Sequence, residues 1–178
     1  NKTKLAFAFF EKDTAGAKAV QIEVFDERMR MLWERKYALK ISNPEYQIHD
    51  ISVNNEGTET LLAIRSYTTG KKVQHTDSKA HLIWLTQYEQ RQYEQQIEKA
   101  WPTDIKCAFN LEGDYLMAGY YGKNAYKPKL AQGSFAYKYD QRRGYLKNSS
   151  TRDFKEYETD EMVKEGLPKP SDQTAKIK

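Results

Sequence analysis

A four-residue pattern that recurs three times constrains the fold of this chain more than any other feature of its sequence. The pattern is an aromatic residue, an acid, Glu or Gln, and Arg, and it occurs at Phe25–Arg28, Tyr88–Arg91 and Tyr139–Arg142. Each copy lies between two runs of alternating apolar and polar residues, which predicts a hairpin corner between strands. The three Arg positions are separated by 63 and then 51 residues (28 to 91 and 91 to 142). Repeats of this length that contain several strands are typical of β-propellers.

A second motif, Asn-x-Glu-Gly, repeats in the same order between the corners. It occurs at Asn54–Gly57 and at Asn110–Gly113, and both copies are predicted to be turns. Two independent motifs that recur in one order, with loops of different length between them, predict propeller blades. If the three corners are not equivalent in space, a β-sandwich is the alternative.

The predicted fold is therefore all-β, with antiparallel four-stranded β-propeller-type blades, two full and one partial, over residues 1–154. Since three, four and four strands do not close a ring, we expect these blades to belong to a larger ring. The approximate blade boundaries are 1–41, 46–101 and 102–154.

Residues 155–178 differ from the blades in composition. Thr159 followed by two acids is typical of a helix start, and Gly166 and Pro168 are typical of a helix end. The sequence predicts a short helix here, followed by a Lys- and Pro-rich linker or tail.

Composition excludes several classes of protein. The net charge of +4 is spread along the chain among many acids, so the sequence lacks the clustered basic surface of a nucleic-acid-binding protein. The single cysteine, Cys107, excludes an internal disulfide and a zinc site of several thiolates. No apolar run approaches the roughly 18 residues of a transmembrane span. The chain begins at Asn1 without a signal segment, which we interpret as a piece of a longer protein.

The acid and the Arg of each corner are interpreted as structural residues. An acid at the end of a strand can accept N–H bonds from the turn that it opens, and equivalent corners lie on separate blades, so their carboxylates do not converge. The residues concerned are Asp26, Arg28, Glu89, Arg91, Asp140 and Arg142.

The remaining titratable residues do not predict a catalytic, cofactor or metal site. His75, Asp77 and His81 lie in or beside one polar loop that offers little support for metal ligands. His49 and Asp50 are adjacent on a predicted strand, where alternation sends their side chains to opposite faces.

Cys107 alternates with apolar residues, which is typical of an inert buried thiol. The sequence therefore predicts that the chain is not an enzyme.

An aromatic region is the candidate binding surface. Tyr120, Tyr121 and Tyr126 run from a predicted strand end into a loop, and Trp101 lies at the start of the third unit. Exposed rings in such places can stack on a sugar or anchor a protein.

The repeats also resemble a known class of protein. Val24-Phe25-Asp26, followed by Leu32-Trp33-Glu34 and an Asn-x-Glu-Gly turn, is similar to repeats of uncharacterised Bacteroidota β-propeller (WD40-like) envelope proteins. The segment Gly133–Asp140, followed by Asp153-Phe154-Lys155-Glu156, resembles the end of such an array. The resemblance implies a secreted, periplasmic or outer-membrane-associated location and no catalytic residues.

The function predicted from these patterns is a non-enzymatic protein-interaction or scaffold module of an envelope or secreted assembly, with other envelope proteins as partners. Carbohydrate binding through exposed Tyr and Trp is the alternative, with a glycan as the ligand. The third candidate is an enzyme whose active residues line a central channel, which would require convergent acids or histidines in a cleft.

Overall fold

The computed structural model describes residues 4–12, 18–68, 78–97, 100–122 and 131–154, and within these ranges the chain forms three antiparallel sheets and no helix. The all-β prediction is thus confirmed. The segment predicted to be a short helix and a basic tail, 155–178, lies outside the described residues.

Each sheet corresponds to one predicted unit, and we call them blades 1, 2 and 3. Neighbouring strands in each blade are consecutive in sequence and antiparallel. Blade 1 consists of β1 (Leu5–Lys12), β2 (Lys18–Phe25) and β3 (Met31–Ala38). Blade 2 consists of β4 (Glu45–Val53), β5 (Glu59–Tyr67), β6 (Ser78–Thr86) and β7 (Gln90–Gln95). Blade 3 consists of β8 (Trp101–Phe109), β9 (Tyr115–Gly122), β10 (Gly133–Tyr139) and β11 (Leu146–Asp153).

The corners define which strands are equivalent. They lie between β2 and β3, between β6 and β7, and between β10 and β11, always before the last strand of a blade. The described part of blade 1 therefore corresponds to the second to fourth strands of the other blades. The first strands, β4 and β8, have no counterpart beside β1 among the described residues.

Blade 2 lies between the other two, and the alternation of β5 shows why both of its faces are apolar. Leu62 and Ile64 belong to a core shared with blade 1, whereas Leu61 and Ala63 belong to a core shared with blade 3. The blade 1–blade 2 interface is mainly aliphatic, since Val20, Ile22 and Val24 meet Leu62, Ile64, Ile83 and Leu85 there. The blade 2–blade 3 interface is rich in aromatic rings, including Trp84, Tyr115, Phe135, Tyr137 and Tyr139.

The first strand of the chain is apolar on both faces but is covered on one. Ala6, Ala8 and Phe10 pack against the core of the blade 1–blade 2 interface. On the opposite face Phe7 and Phe9 are 41% and 48% exposed. This strand is therefore covered on one face only in the part of the chain that the structure describes.

The Asn-x-Glu-Gly motifs form the predicted turns. Asn54 Oδ1 accepts hydrogen bonds from the N–H groups of the two residues that follow Gly57, and Asn110 Oδ1 accepts the N–H groups of Glu112 and Asp114. Gly57 and Gly113 have φ values of +76° and +84°, a left-handed conformation that favours glycine.

The corners are built in two ways. Asp26 Oδ1 accepts the N–H groups of Arg28 and Arg30 at 2.9 and 3.0 Å, and Asp140 Oδ1 accepts the N–H of Arg143 at 2.7 Å. In blade 2 the hydroxyl of Thr86 accepts the N–H groups of Tyr88 and Glu89 at 3.1 and 2.9 Å. Thr86, three residues before Glu89, is thus the structural counterpart of the corner acids.

Candidate functional site

Two irregular strands bring polar side chains together between blades 2 and 3. The first strand of blade 2 has a β-bulge between Ile48 and Asp50, and the first strand of blade 3 has one between Pro102 and Asp104. A bulge breaks the alternation of side chains and redirects one of them, and bulges are frequent beside active sites. The result is a group that we call the β4–β8 cluster, formed by Gln47, His49, Arg65, Thr103 and Asp104.

Gly119 makes the bulge of the blade 3 strand possible. It pairs with Ile105 beside the bulge, and a Cβ atom at Gly119 would lie 1.9 Å from the backbone oxygen of Asp104. Only glycine lets the two backbones approach so closely. Asp104 is therefore positioned by a residue of the neighbouring strand.

His49 is the central residue of the cluster. Its side chain is 9% exposed, and its Nδ1 lies 3.6 Å from Asp104 Oδ1, which is within ion-pair range but too long for a hydrogen bond. Its Nε2 is buried and has no hydrogen-bond partner among the described residues. Burial and, next, the charge of Arg65 lower the pKa of His49, and Asp104 partly opposes them. His49 is therefore neutral at pH 7.

Arg65 links the two blades beside His49. Its Nη1 donates to the carbonyl of Pro102 at 2.9 Å, and its Nη2 donates to Gln47 Oε1 at 2.8 Å. Arg65 Nε and Thr103 Oγ1 are also buried without a partner in the described part of the chain. Such buried polar atoms are uncommon, because each costs free energy unless a water or a ligand satisfies it.

Asp50 and Cys107 form a structural contact next to the cluster. Asp50 Oδ2 accepts the backbone N–H of Cys107 at 3.0 Å, and Asp50 Oδ1 lies 3.5 Å from Lys106 Nζ. The thiol of Cys107 is buried, and burial raises its pKa far above the ordinary range. It is therefore protonated at neutral pH and is not a nucleophile.

A cleft of about 520 Å³ lies at the other end of the same two strands. Its walls are the Asn54–Gly57 and Asn110–Gly113 turns, and Glu59 and Gln141 also line it. We call it the turn cleft. Its volume is within the range of small-molecule sites.

Two of the four aromatic residues that were predicted to form a binding surface are buried. Trp101 and Tyr121 are each only 4% exposed, and Tyr121 Oη donates to Asp153 Oδ1 at 2.6 Å. Tyr120 is half-buried with its ring 5.9 Å from that of Phe154. Strand alternation within a blade buries every second ring of such a run, so only part of it could reach solvent. Tyr126 lies outside the described residues.

The corner Arg residues have different surroundings. Arg28 and Arg142 are exposed. Arg91 lies over the ring of Trp84 at 4.8 Å and donates from Nη1 to the carbonyl of Gln141 at 2.9 Å. Because this contact joins blade 2 to blade 3, Arg91 belongs to the interface rather than to a solvated turn.

The corner acids are held by nearby donors. Hydrogen bonds from the backbone and side chain of Arg30 lower the pKa of Asp26 to about 2, against a smaller opposing effect of burial. The pKa of Asp140 is lowered first by the N–H of Arg143, and Lys147 Nζ lies 3.2 Å from its Oδ2. Glu89 lies 3.9 Å from Arg91 Nη2. These acids sit on three different blades and do not converge.

His81 is a core residue of blade 2. It is fully buried, and its Nε2 lies 2.7 Å from Ser66 Oγ. Among the described residues no group of three His, Cys, Asp or Glu side chains could hold a metal ion. His75 and Asp77 lie outside those residues.

The search for similar proteins gave structural relatives only. No protein-family model matches the sequence, and no curated protein matches it. The fold is similar to that of a Synechocystis apocarotenoid oxygenase in two mutant forms, each at 8% identity, covering 85% of this chain and 35% of that one, with TM-scores of 0.56 and 0.55. It is also similar to an ACO/RPE65 chimera at 8% identity, covering 82% and 34% of the two chains, with a TM-score of 0.53. At this identity the likeness shows the fold alone, and the chain spans about a third of the length of these structures.

The comparison corrects the functional prediction. A non-enzymatic scaffold was inferred by analogy between folds, and the fold that the structure shows is shared with oxygenases. The analogy on which the scaffold prediction depended therefore no longer holds, and that prediction is wrong. The glycan alternative depended on exposed rings, and two of the rings proposed for it, those of Trp101 and Tyr121, are buried.

The β4–β8 cluster was missed because its members are far apart in sequence. The residue next to His49 in sequence is Asp50, whereas its partner in space, Asp104, is 55 residues away (49 to 104). The repeat does carry a signal for this pairing, because it makes β4 and β8 the equivalent first strands of adjacent blades. Equivalent strands of adjacent blades lie side by side, so polar residues on β4 and β8 are candidates for contact.

Proposed function

We propose that this chain forms three neighbouring blades of a β-propeller enzyme, in which His49 accepts a proton from the substrate. The observation that carries the proposal is the buried Nε2 of His49, which has no partner among the described residues, on a ring whose other nitrogen faces Asp104. The fold shared with the oxygenases supports an enzyme and leaves the reaction open. Further blades of a ring would come from residues beyond these three blades.

The geometry suits a general base. Asp104 near Nδ1 favours the tautomer that carries its proton there, and this leaves a lone pair on Nε2. Because the lowered pKa keeps the ring neutral at pH 7, the lone pair is available. When His49 takes a proton, the carboxylate of Asp104 stabilises the imidazolium that forms.

Arg65 places a positive charge beside His49. Its guanidinium is fixed by Pro102 and Gln47 and lies close enough to lower the pKa of His49. A fixed positive charge stabilises an anion that develops as a proton leaves the substrate. The proposed substrate is a small molecule with a weakly acidic proton. The oxygenase chemistry named for the structural relatives is not transferred to this chain.

Loss of turnover in His49 variants tests the proposal. The purified protein is incubated with a small-molecule extract, and the depletion of each compound is followed by mass spectrometry for the wild type, His49→Gln and Asp104→Asn. We expect the wild type to convert at least one compound, His49→Gln to convert it 10²–10⁴-fold more slowly, and Asp104→Asn to be intermediate. His81→Gln, at the other face of blade 2, is the control and retains activity. Equal conversion by the wild type and His49→Gln, or no conversion by either, overturns the proposal.

An envelope or extracellular location and envelope-protein partners stay predictions. None of the described segments forms a helix long and apolar enough to cross a membrane.

A further inference from the structure

The turn cleft has walls that are fixed before any ligand arrives. Two turns of the same sequence motif form its sides, and each is held by Asn side-chain bonds and a left-handed Gly. Rigid walls lower the entropic cost of binding, because little of the protein must be ordered around the ligand. The cleft is therefore suited to a small ligand.

One carboxylate in the cleft is oriented by residues of two blades. Glu59 Oε2 accepts the indole N–H of Trp84 at 2.8 Å, and Glu59 Oε1 accepts the amide N–H of Gln141 at 3.3 Å. Gln141 can reach Glu59 because Gly113 has no side chain: a Cβ there would lie 2.4 Å from Gln141 Oε1. The blade 3 turn is thus shaped so that Gln141 holds this carboxylate.

The charge of the cleft is negative and is not balanced by its own lining. Glu56 and Glu59 line it, and none of the residues that line it in the described part of the chain is basic. Glu59 forms no ion pair with any described residue, since its partners Trp84 and Gln141 are neutral. A half-buried carboxylate without a counter-ion attracts a cation that can also donate hydrogen bonds.

The cleft also has an apolar part. Val53 and Phe109 contribute to its lining, and Leu111 is fully exposed at its edge. Apolar surface beside a carboxylate favours an organic cation over a bare, strongly hydrated metal ion.

We propose that the turn cleft binds a small organic ammonium compound, with Glu59 accepting its N–H groups and Phe109 and Leu111 contacting its apolar part. The site is separate from the β4–β8 cluster, because Val53 is four residues beyond His49, about 13 Å along an extended strand. It therefore does not depend on the proposed enzymatic role of His49.

The test compares a cation with a neutral molecule of the same shape. Benzylammonium chloride and benzyl alcohol are titrated separately into the protein, and the indole N–H signal of Trp84, assigned with a Trp84→Phe variant, is followed by NMR. We expect benzylammonium to shift this signal with saturation in the millimolar range or below, and benzyl alcohol to bind at least 10-fold more weakly. Equal affinities, or saturation by calcium chloride without saturation by benzylammonium, overturn the proposal.

Variants locate the site. Glu59→Gln keeps the acceptor for Trp84 and removes the charge, and we expect it to weaken benzylammonium binding at least 10-fold. Glu112→Gln is the matched control, because that carboxylate belongs to the Asn110–Gly113 turn beside the cleft but pairs with Lys138 at 2.9 Å and does not line the cleft. We expect the Glu112→Gln and His49→Gln variants to bind as the wild type does.

A surface variant keeps the test decisive if Glu59→Gln does not fold. Leu111→Lys places a positive charge at the fully exposed edge of the cleft and disturbs no packed side chain. We expect it to weaken benzylammonium binding severalfold and benzyl alcohol binding by less, because both molecules lose the contact with Leu111 but only the cation is repelled by the new charge. Unchanged benzylammonium binding in this variant contradicts the proposed site.

Discussion

Blade 2 has a buried histidine at each of its two interfaces, and the two differ in how their hydrogen-bonding groups are satisfied. His81 lies on the same strand face as Ile83, towards blade 1, and its Nε2 meets Ser66 Oγ at 2.7 Å. Ser66 Oγ in turn donates to Asn43 Oδ1 at 3.2 Å. His49 faces blade 3, and its Nε2 has no partner among the described residues.

The same contrast extends over the rest of the two interfaces. Towards blade 1 the core is aliphatic, and Tyr37, which is buried there, donates its hydroxyl proton to the carbonyl of Thr86. Towards blade 3 the buried hydroxyl of Tyr115 has no hydrogen-bond partner in the described part of the chain. His81 and Tyr37, towards blade 1, have hydrogen-bond partners, although Thr60 Oγ1 on that face of β5 is buried without one among the described residues. His49 and Tyr115, towards blade 3, each have a buried polar atom without a partner in the described part of the chain, which a ligand could satisfy. We therefore expect function at the second interface.

The largest expected effect is the pH dependence of stability that His81 causes. Because burial lowers the pKa of His81 to about 4, the unfolded chain binds a proton below about pH 6.5 that the folded chain binds only near pH 4. The free energy of unfolding is therefore independent of the protonation of His81 above pH 7, and it falls by on the order of 3 kcal/mol between pH 6.5 and 4. Urea unfolding at a series of pH values measures this loss.

His81→Gln is the variant that isolates the effect. It should be less stable than the wild type at pH 7, since the bond with Ser66 is disturbed, and it should lose much less stability on acidification to pH 4. Lys79 and Glu94, which lie beside the ring, remain in the variant. If the free energy of unfolding falls equally with pH in the wild type and in His81→Gln, then burial does not lower the pKa of His81 as the structure indicates.

The blades could be predicted from the sequence because their signals are local. Alternation within ten residues gave the strands, and Asn with Gly at fixed positions gave the turns at Asn54–Gly57 and Asn110–Gly113. The corner of blade 2 was misaligned because Thr86 fulfils the role of Asp26 through a hydroxyl. A repeat that is defined by residue type misses a position at which a Thr hydroxyl replaces an Asp carboxylate as the hydrogen-bond acceptor.

The candidate site could not be predicted from local patterns. In a regular strand the side chains of the neighbours His49 and Asp50 would point to opposite faces, but the bulge at this point changes the direction of the side chains. The pairing of His49 with Asp104 depends on how two blades dock, which no short stretch of sequence encodes. The turn cleft likewise requires Gln141, more than 80 residues from Glu59, to reach across the interface.

An intermediate effect should come from the glycine that positions Asp104. In Gly119→Ala the new Cβ would lie 1.9 Å from the backbone oxygen of Asp104, so the bulge of the blade 3 strand must move. We expect a loss of about 1–3 kcal/mol in the free energy of unfolding and a change in the NMR signals of the His49 ring. Ala118→Ser, at the exposed neighbouring position, is the control and should change neither. If Gly119→Ala shifts no His49 signal, the bulge does not position the cluster.

The smallest effects come from removing one hydroxyl at each interface. Tyr37→Phe removes the donor to the carbonyl of Thr86, and we expect it to lower the free energy of unfolding by about 1 kcal/mol. Tyr115→Phe removes a fully buried hydroxyl without a partner among the described residues, so the change should be within about 0.5 kcal/mol of zero or stabilising. Both substitutions keep the ring and its packing, and chemical denaturation of the two variants compares them directly. If Tyr115→Phe costs as much as Tyr37→Phe, the hydroxyl of Tyr115 is satisfied in solution, and the two interfaces differ less than their hydrogen bonds indicate.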